Sequence, residues 1–166
     1  EVGEIANARV KTDKEDIKRL LKLLIGGIVP EVWVPPMHVR ELRAFTSYRG
    51  RLVKTSTMIR NRLQSLLHKH NLMLSEAGLL DQAWWEEQNN ISALEKLQIR
   101  QELVLLQEVE KLKASVDEEL QRQSTSTTWG KQALQIMQLP GVGYIVAMTV
   151  LAAIGDISRF ENAKQL

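Results

Sequence analysis

Apolar side chains recur at three- and four-residue steps in several separated stretches of the chain, and each such stretch predicts a helix. The first begins at a capping-box pattern, Thr12-Asp13-Lys14-Glu15, runs with Ile17, Leu20, Leu21 and Leu24 on one face, and stops at Gly26-Gly27. Glu31-Val32-Trp33-Val34, closed by Pro35-Pro36, predicts an edge strand or an extended connector, and residues 5–10 predict a short strand. From Val39 to His70 there is no Pro and one Gly, Gly50, while Leu42, Phe45, Val53, Ile59, Leu63, Leu66 and Leu67 form an interrupted stripe. A single helix of ~32 residues, roughly 48 Å long, is predicted there, and a helix of that length must project or pair. Its partner is 91–122, again free of Gly and Pro, with a seam of Leu94, Leu97, Leu105, Val109, Leu112, Val116 and Leu120 that Gln98 or Gln101 and Glu102 interrupt. Residues 72–90, with Gly78 and Trp84-Trp85, are the turn region with a short helix, and the two Trp residues read as packing anchors. The polar break Ser124-Thr-Ser-Thr-Thr-Trp129 predicts a linker, followed by a short helix, a tight turn at Leu139-Pro140-Gly141-Val142-Gly143 and an apolar helix to Gly155. The expected fold is mainly α: a long antiparallel helical hairpin, or coiled coil, flanked by smaller segments.

Charge changes this picture more than composition does. The net charge is only +2, yet residues 37–72 carry Arg40, Arg43, Arg49, Arg51, Lys54, Arg60, Arg62 and Lys69 against Glu41 alone, and residues 73–123 carry five basic and eleven acidic groups. One arm of the hairpin is therefore +7, and the segment holding the other is −6. The sorting has two readings: the arms neutralise each other, or the basic arm meets a polyanion through counterion release. Six of its eight basic residues are Arg, whose planar fork suits phosphate. With 44% apolar residues and no Cys, a disulfide framework, a thiolate metal site and a thiol nucleophile are excluded. No apolar run approaches the ~18 residues a membrane span needs, and no signal peptide opens the chain, so a soluble protein in the cytoplasm is expected, without a membrane partner.

Two motifs carry candidate chemistry. The Pro-Gly-Val-Gly turn allows positive φ and close backbone approach ahead of a helix N-terminus, a combination that holds phosphate; glycines that serve only close packing are the alternative. Residues 132–155 resemble the helix-hairpin-helix family, which grips the nucleic-acid backbone through such a turn, so Lys131, Gly141, Val142 and Gly143 join the basic arm as candidate contacts. Asp13 and Asp16 lie three apart at a helix start, on nearly one face, which suits a divalent cation or simply answers the helix dipole. His38, His68 and His70 form no ligand set.

Across its length the chain resembles the transposases of the IS110 family, including its IS1111 relatives. The residues that carry this are Lys11-Thr12-Asp13-x-x-Asp16, Gly27-x-x-x-Glu31-Val32-Trp33-Val34-Pro35, Leu42-Arg43 with Arg49 to Val53, and Leu139 to Gly143 leading to Ala152-x-Ile154-Gly155-Asp156-Ile157-x-Arg159-Phe160. The resemblance implies three parts: the end of a RuvC-like nuclease domain in 1–36, a coiled-coil hairpin in 37–123, and the start of a transposase domain in 124–166. It implies that Asp13 and Asp16 are the last two acids of an Asp-Glu-Asp-Asp site for Mg²⁺ or Mn²⁺. It also implies a DNA recombinase of an insertion sequence, guided by a structured RNA and assembled as a homo-oligomer through its coiled coil. Glu1 in place of an initiating Met suggests a piece of a longer protein. The first Asp and the Glu are expected upstream of Glu1 and the family's catalytic serine beyond Leu166, so this stretch alone is expected to be inactive. A non-catalytic nucleic-acid-binding module and a purely structural coiled coil are the competing readings.

Overall fold

The computed structural model describes residues 13–28, 32–75, 78–162 and 164–165. The chain divides into two compact units, 1–35 and 36–166. The described secondary structure is helical throughout, with no strand among the described residues. The strand expected at 5–10 and the Thr12 cap lie outside those residues, and Val32–Val34 has no regular secondary structure and no strand pairing.

In the first unit, α1 spans Asp13–Ile25. It ends in a Schellman motif that needs a glycine: Gly27 takes φ +63°, the Ile28 N–H donates to the Leu23 carbonyl at 3.0 Å, and the Gly27 N–H donates to the Leu24 carbonyl at 3.1 Å. The apolar face of α1, with Ile17, Leu20, Leu21 and Leu24, is exposed.

The second unit is built on α2 (Met37–Lys69) and α4 (Ala93–Ser124), joined by a 3₁₀ turn at Gly78–Leu80 and the short α3 (Gln82–Glu87). Pro36 precedes α2, where its missing N–H costs nothing. The helix closes on Asn71 at φ 54°, with the Leu72 N–H donating to the Leu67 carbonyl at 2.9 Å. Ser92 starts α4 with a complete capping box to Glu95. The two long helices run antiparallel, as their cross-links show: Arg49 to Asp117, Arg60 to Glu110, Arg62 to Glu102 and Lys69 to Glu95.

Toward the hairpin tip a core gathers Ile59, Leu63 and Leu67 of α2, Leu79, Trp85, Ile91, and Ile99, Leu103 and Leu106 of α4. Trp85 is the tip's anchor: its indole N–H donates to the Leu79 carbonyl at 3.0 Å, and its ring meets Trp84 edge-on at 5.2 Å. The seam differs from the expected one. Leu94, Leu97, Leu105 and Leu112 face solvent, whereas Ile99, Leu103 and Leu106 join Val116 and Leu120 in the buried face. On α2, Leu52 is buried and Val53 is exposed.

At the other end, α5 (Gly130–Met137) and α6 (Tyr144–Ile154) pack against the open end of the hairpin, α6 on both α2 and α4. Ala133, Ala147, Met148, Leu151 and Ala152 are buried there with Val39 and Leu42. Residues 125–129 form the bend between α4 and α5, with Trp129 buried and its ring 5.4 Å from that of His38.

Candidate nucleic-acid interface

The turn between α5 and α6 is a type II turn in its hydrogen bonding and its residues: Pro140 occupies the second position, Gly141 the third at φ +81°, and the Val142 N–H donates to the Leu139 carbonyl at 3.1 Å. Gly143 is the N-cap of α6, extended at φ −91° and ψ 176°, and no side chain caps the helix. The first-turn amides of an α-helix have no intrahelical acceptor and stand at the positive end of its dipole. A Cβ added at Gly141 or Gly143 would meet nothing within 4 Å, so neither glycine is explained by close packing within the protein. Gly141 is explained by its positive φ. Gly143 has an ordinary φ and open space, and its missing side chain leaves the start of α6 bare. Val142 is half-buried beside it, and Lys131 is exposed on the first turn of α5.

The basic arm falls into two sets. Arg49 forks Asp117 at 2.5 and 3.3 Å, Arg60 reaches Glu110 at 3.2 Å, Arg62 reaches Glu102 at 2.7 Å and Lys69 reaches Glu95 at 2.7 Å. Arg43 lies across the chain, its Nε–H donating to the Ala152 carbonyl at 2.6 Å and its Nη2 to the Ala153 carbonyl at 2.9 Å. These side chains serve the hairpin and its contact with α6. The second set is Arg40, Arg51 and Lys54, all exposed. Arg51 lies over the Tyr48 ring at 5.5 Å, and Arg40 and Lys54 make no ion pair among the described residues. Spacings of eleven and fourteen residues put all three on one stripe of α2, with Ser47, Met58, Asn61 and Ser65, opposite the buried Leu52, Ser56, Ile59 and Leu63.

The inner polar layer is strongly anchored. Glu110 accepts from Lys113, from the Ser56 hydroxyl at 2.6 Å and from Arg60, and these donors hold its carboxyl down to about 2. Glu95 is lowered to about 2 by Lys69, then by Ser92 and His70. Glu102 is buried with its Oε2 unpartnered while Arg62 holds Oε1. At the far end, Asp156 accepts from the Ser158 N–H at 2.9 Å and its hydroxyl at 2.8 Å, which lowers its pKa and makes Ser158 part of a cap.

Asp13 and Asp16 stand on the first turn of α1, Asp13 exposed and Asp16 half-buried. The Asp16 Oδ1 is buried without a hydrogen-bond partner, which suits a cation ligand better than a helix-capping carboxylate. Among the described residues no group of three His, Cys, Asp or Glu side chains is placed to hold a metal ion. Two carboxylates fit part of a Mg²⁺ donor set, which ordinarily takes one or two with water and phosphate completing it. No described helix is long and apolar enough to cross a membrane.

Sequence reasoning missed the role of Arg43, the Ser56–Glu110 contact and the Ser92 capping box. The last had a readable signal in Ser92-x-x-Glu95; the first two join residues far apart in the chain.

Compared with known proteins, residues 133–166 match the family described as Transposase IS116/IS110/IS902 family. The chain is also similar to the transposase for insertion sequence element IS1111A of Coxiella burnetii (strain RSA 493 / Nine Mile phase I), 25% identical over 164 residues. That alignment covers 94% of this chain and 43% of the relative, so the chain spans less than half the relative's length. No solved structure matches it.

Proposed function

We propose that the chain is part of an IS110-family transposase, the reading its similarities support, and that 36–166 is the part of that recombinase that grips a nucleic-acid backbone. Two surfaces do this. The bare start of α6 behind Gly141 and Gly143 offers backbone N–H groups and a dipole to one phosphate. The outer stripe of α2, Arg40, Arg51 and Lys54, supplies charge to further phosphates. The observation that carries the reading is the empty space at Gly143, the uncapped N-cap of α6, where no Cβ stands between the first-turn amides and an approaching phosphate.

In the whole protein this grip serves the cutting and rejoining of DNA strands. Asp13 and Asp16 contribute two ligands to a Mg²⁺ or Mn²⁺ site, and the metal, when bound, supplies Lewis-acid stabilisation of phosphodiester oxygens. Serine chemistry, guidance by RNA and assembly of several copies through the coiled coil follow from the family resemblance. The exposed stripe of Leu94, Leu97, Leu105 and Leu112 on α4 is the face available for that assembly.

The test is Gly143→Ala, followed by fluorescence anisotropy with a labelled DNA duplex and by thermal unfolding. The expected result is a stability loss of about 1 kcal/mol or less, as for alanine replacing glycine at an N-cap, and affinity reduced about tenfold or more for the protein that remains folded. Unchanged affinity of the folded variant refutes the turn as a phosphate site.

A further inference from the structure

Arg43 belongs to the block of arginines that the sequence offers as candidate phosphate contacts, yet its side chain points to a different task. Its Nε–H and Nη2 donate to the carbonyls of Ala152 and Ala153, 109 and 110 residues away, at 2.6 and 2.9 Å. Those carbonyls lie in the last turn of α6, where acceptors have no donor from their own helix and the dipole is negative. The helix ends there because Gly155 takes φ 72° and returns its N–H to the Leu151 carbonyl at 2.8 Å. A guanidinium fork satisfies two such carbonyls at fixed orientation; a single ammonium does not reproduce that geometry. Around it Val39 and Leu42 of α2 and Leu151 and Ala152 of α6 are buried, so the fork sits at the edge of a packed contact.

The two ends of α6 thus have different jobs. One end carries the glycine turn, and the other, eleven residues on and ~16 Å away, is held by Arg43. Arg40 lies one turn before Arg43 on α2, and Arg51 and Lys54 follow two and three turns after it. We propose that Arg43 is a positioning residue: it fixes the glycine turn at a set distance and angle from the exposed basic stripe of α2, so that one continuous nucleic-acid backbone meets both. This rests on the nucleic-acid reading above. Two weak sites held rigidly bind a backbone that spans them more tightly than either site alone, through effective concentration.

The experiment compares wild type, Arg43→Ala and Arg43→Lys on the full chain, with duplexes of about 8 and about 24 base pairs, roughly 27 and 80 Å long at the DNA repeat. Amide hydrogen exchange of Ile154 and Gly155 is followed in the same samples, below the melting temperature of each variant. The expected result is that both variants lose about tenfold or more in affinity for the long duplex, keep short-duplex affinity within about twofold, and exchange the α6 C-terminal amides faster. Arg43→Lys is decisive because it keeps the charge. If it binds both duplexes like wild type, while Arg43→Ala weakens both and lowers the salt slope by about 0.9, Arg43 is a phosphate contact and the proposal is wrong. Unchanged exchange at Ile154 and Gly155 in Arg43→Ala also overturns it. Wild type that binds neither duplex overturns the nucleic-acid reading itself, an outcome separate from these.

Discussion

Truncating Leu106 to Ala, beside the same change at its neighbour Leu105, tests which face of α4 meets α2. Leu106 is 0% exposed in the cluster with Ile59, Leu63 and Leu103; Leu105 is 52% exposed. Removing a fully buried leucine side chain loses its transfer free energy and leaves a cavity, about 3 kcal/mol within a range of ~2–5. Removing one already half in water costs below about 1 kcal/mol. With a urea m-value of about 2 kcal/mol/M, the midpoints fall by ~1.5 M for Leu106→Ala and ~0.5 M or less for Leu105→Ala. The assay is urea unfolding followed by far-UV circular dichroism at two protein concentrations. Self-association through the outer stripe shows itself as a concentration-dependent midpoint that Leu105→Ala reduces and Leu106→Ala leaves. Equal losses for the two variants at both concentrations, or a larger loss for Leu105→Ala, refute the assignment of the seam.

Glu110 has a folded pKa of about 2 against an ordinary 4.5, so its contribution is fully present above pH ~4.5 and is lost as pH falls toward 2. Urea midpoints measured from pH 5.5 to 2.5 should fall less steeply in Glu110→Gln than in wild type; parallel curves would contradict the bonded layer. Arg40→Ala and Lys54→Ala should each lower the slope of log K against log salt for DNA by about 0.9, whereas Arg62→Ala, whose guanidinium holds Glu102, should leave the slope and reduce stability instead. Trp85→Phe removes the indole donor from the buried Leu79 carbonyl and should cost about 1–3 kcal/mol in thermal unfolding, with a loss near zero counting against the anchor.

The helices were legible because apolar spacing and breaker residues act locally. The expected spans 39–70 and 91–122 differ by two residues at most from Met37–Lys69 and Ala93–Ser124. The seam was not legible by the same rule, because α4 carries leucine on two faces and hydrophobicity alone does not choose between them. The acids choose: Glu102, Glu110 and Asp117 lie on the face with Leu103 and Leu106, where Arg62, Arg60 and Arg49 meet them. Glu102, counted as an interruption of the seam, is part of it. At the candidate interface the glycine turn was readable from its residues. The division of the basic arm was not, since which arginines are answered from within depends on partners 40 to 110 residues away.

A 33-residue helix braced along its length by a second of 32 residues is a stiff beam. Its span is ~50 Å, so a rotation of only about 5° at the end that carries α5 and α6 swings the tip at Leu79 and Trp85 through ~4 Å. Small angular changes at the end that carries α5 and α6 are therefore delivered, magnified, to whatever touches the far end.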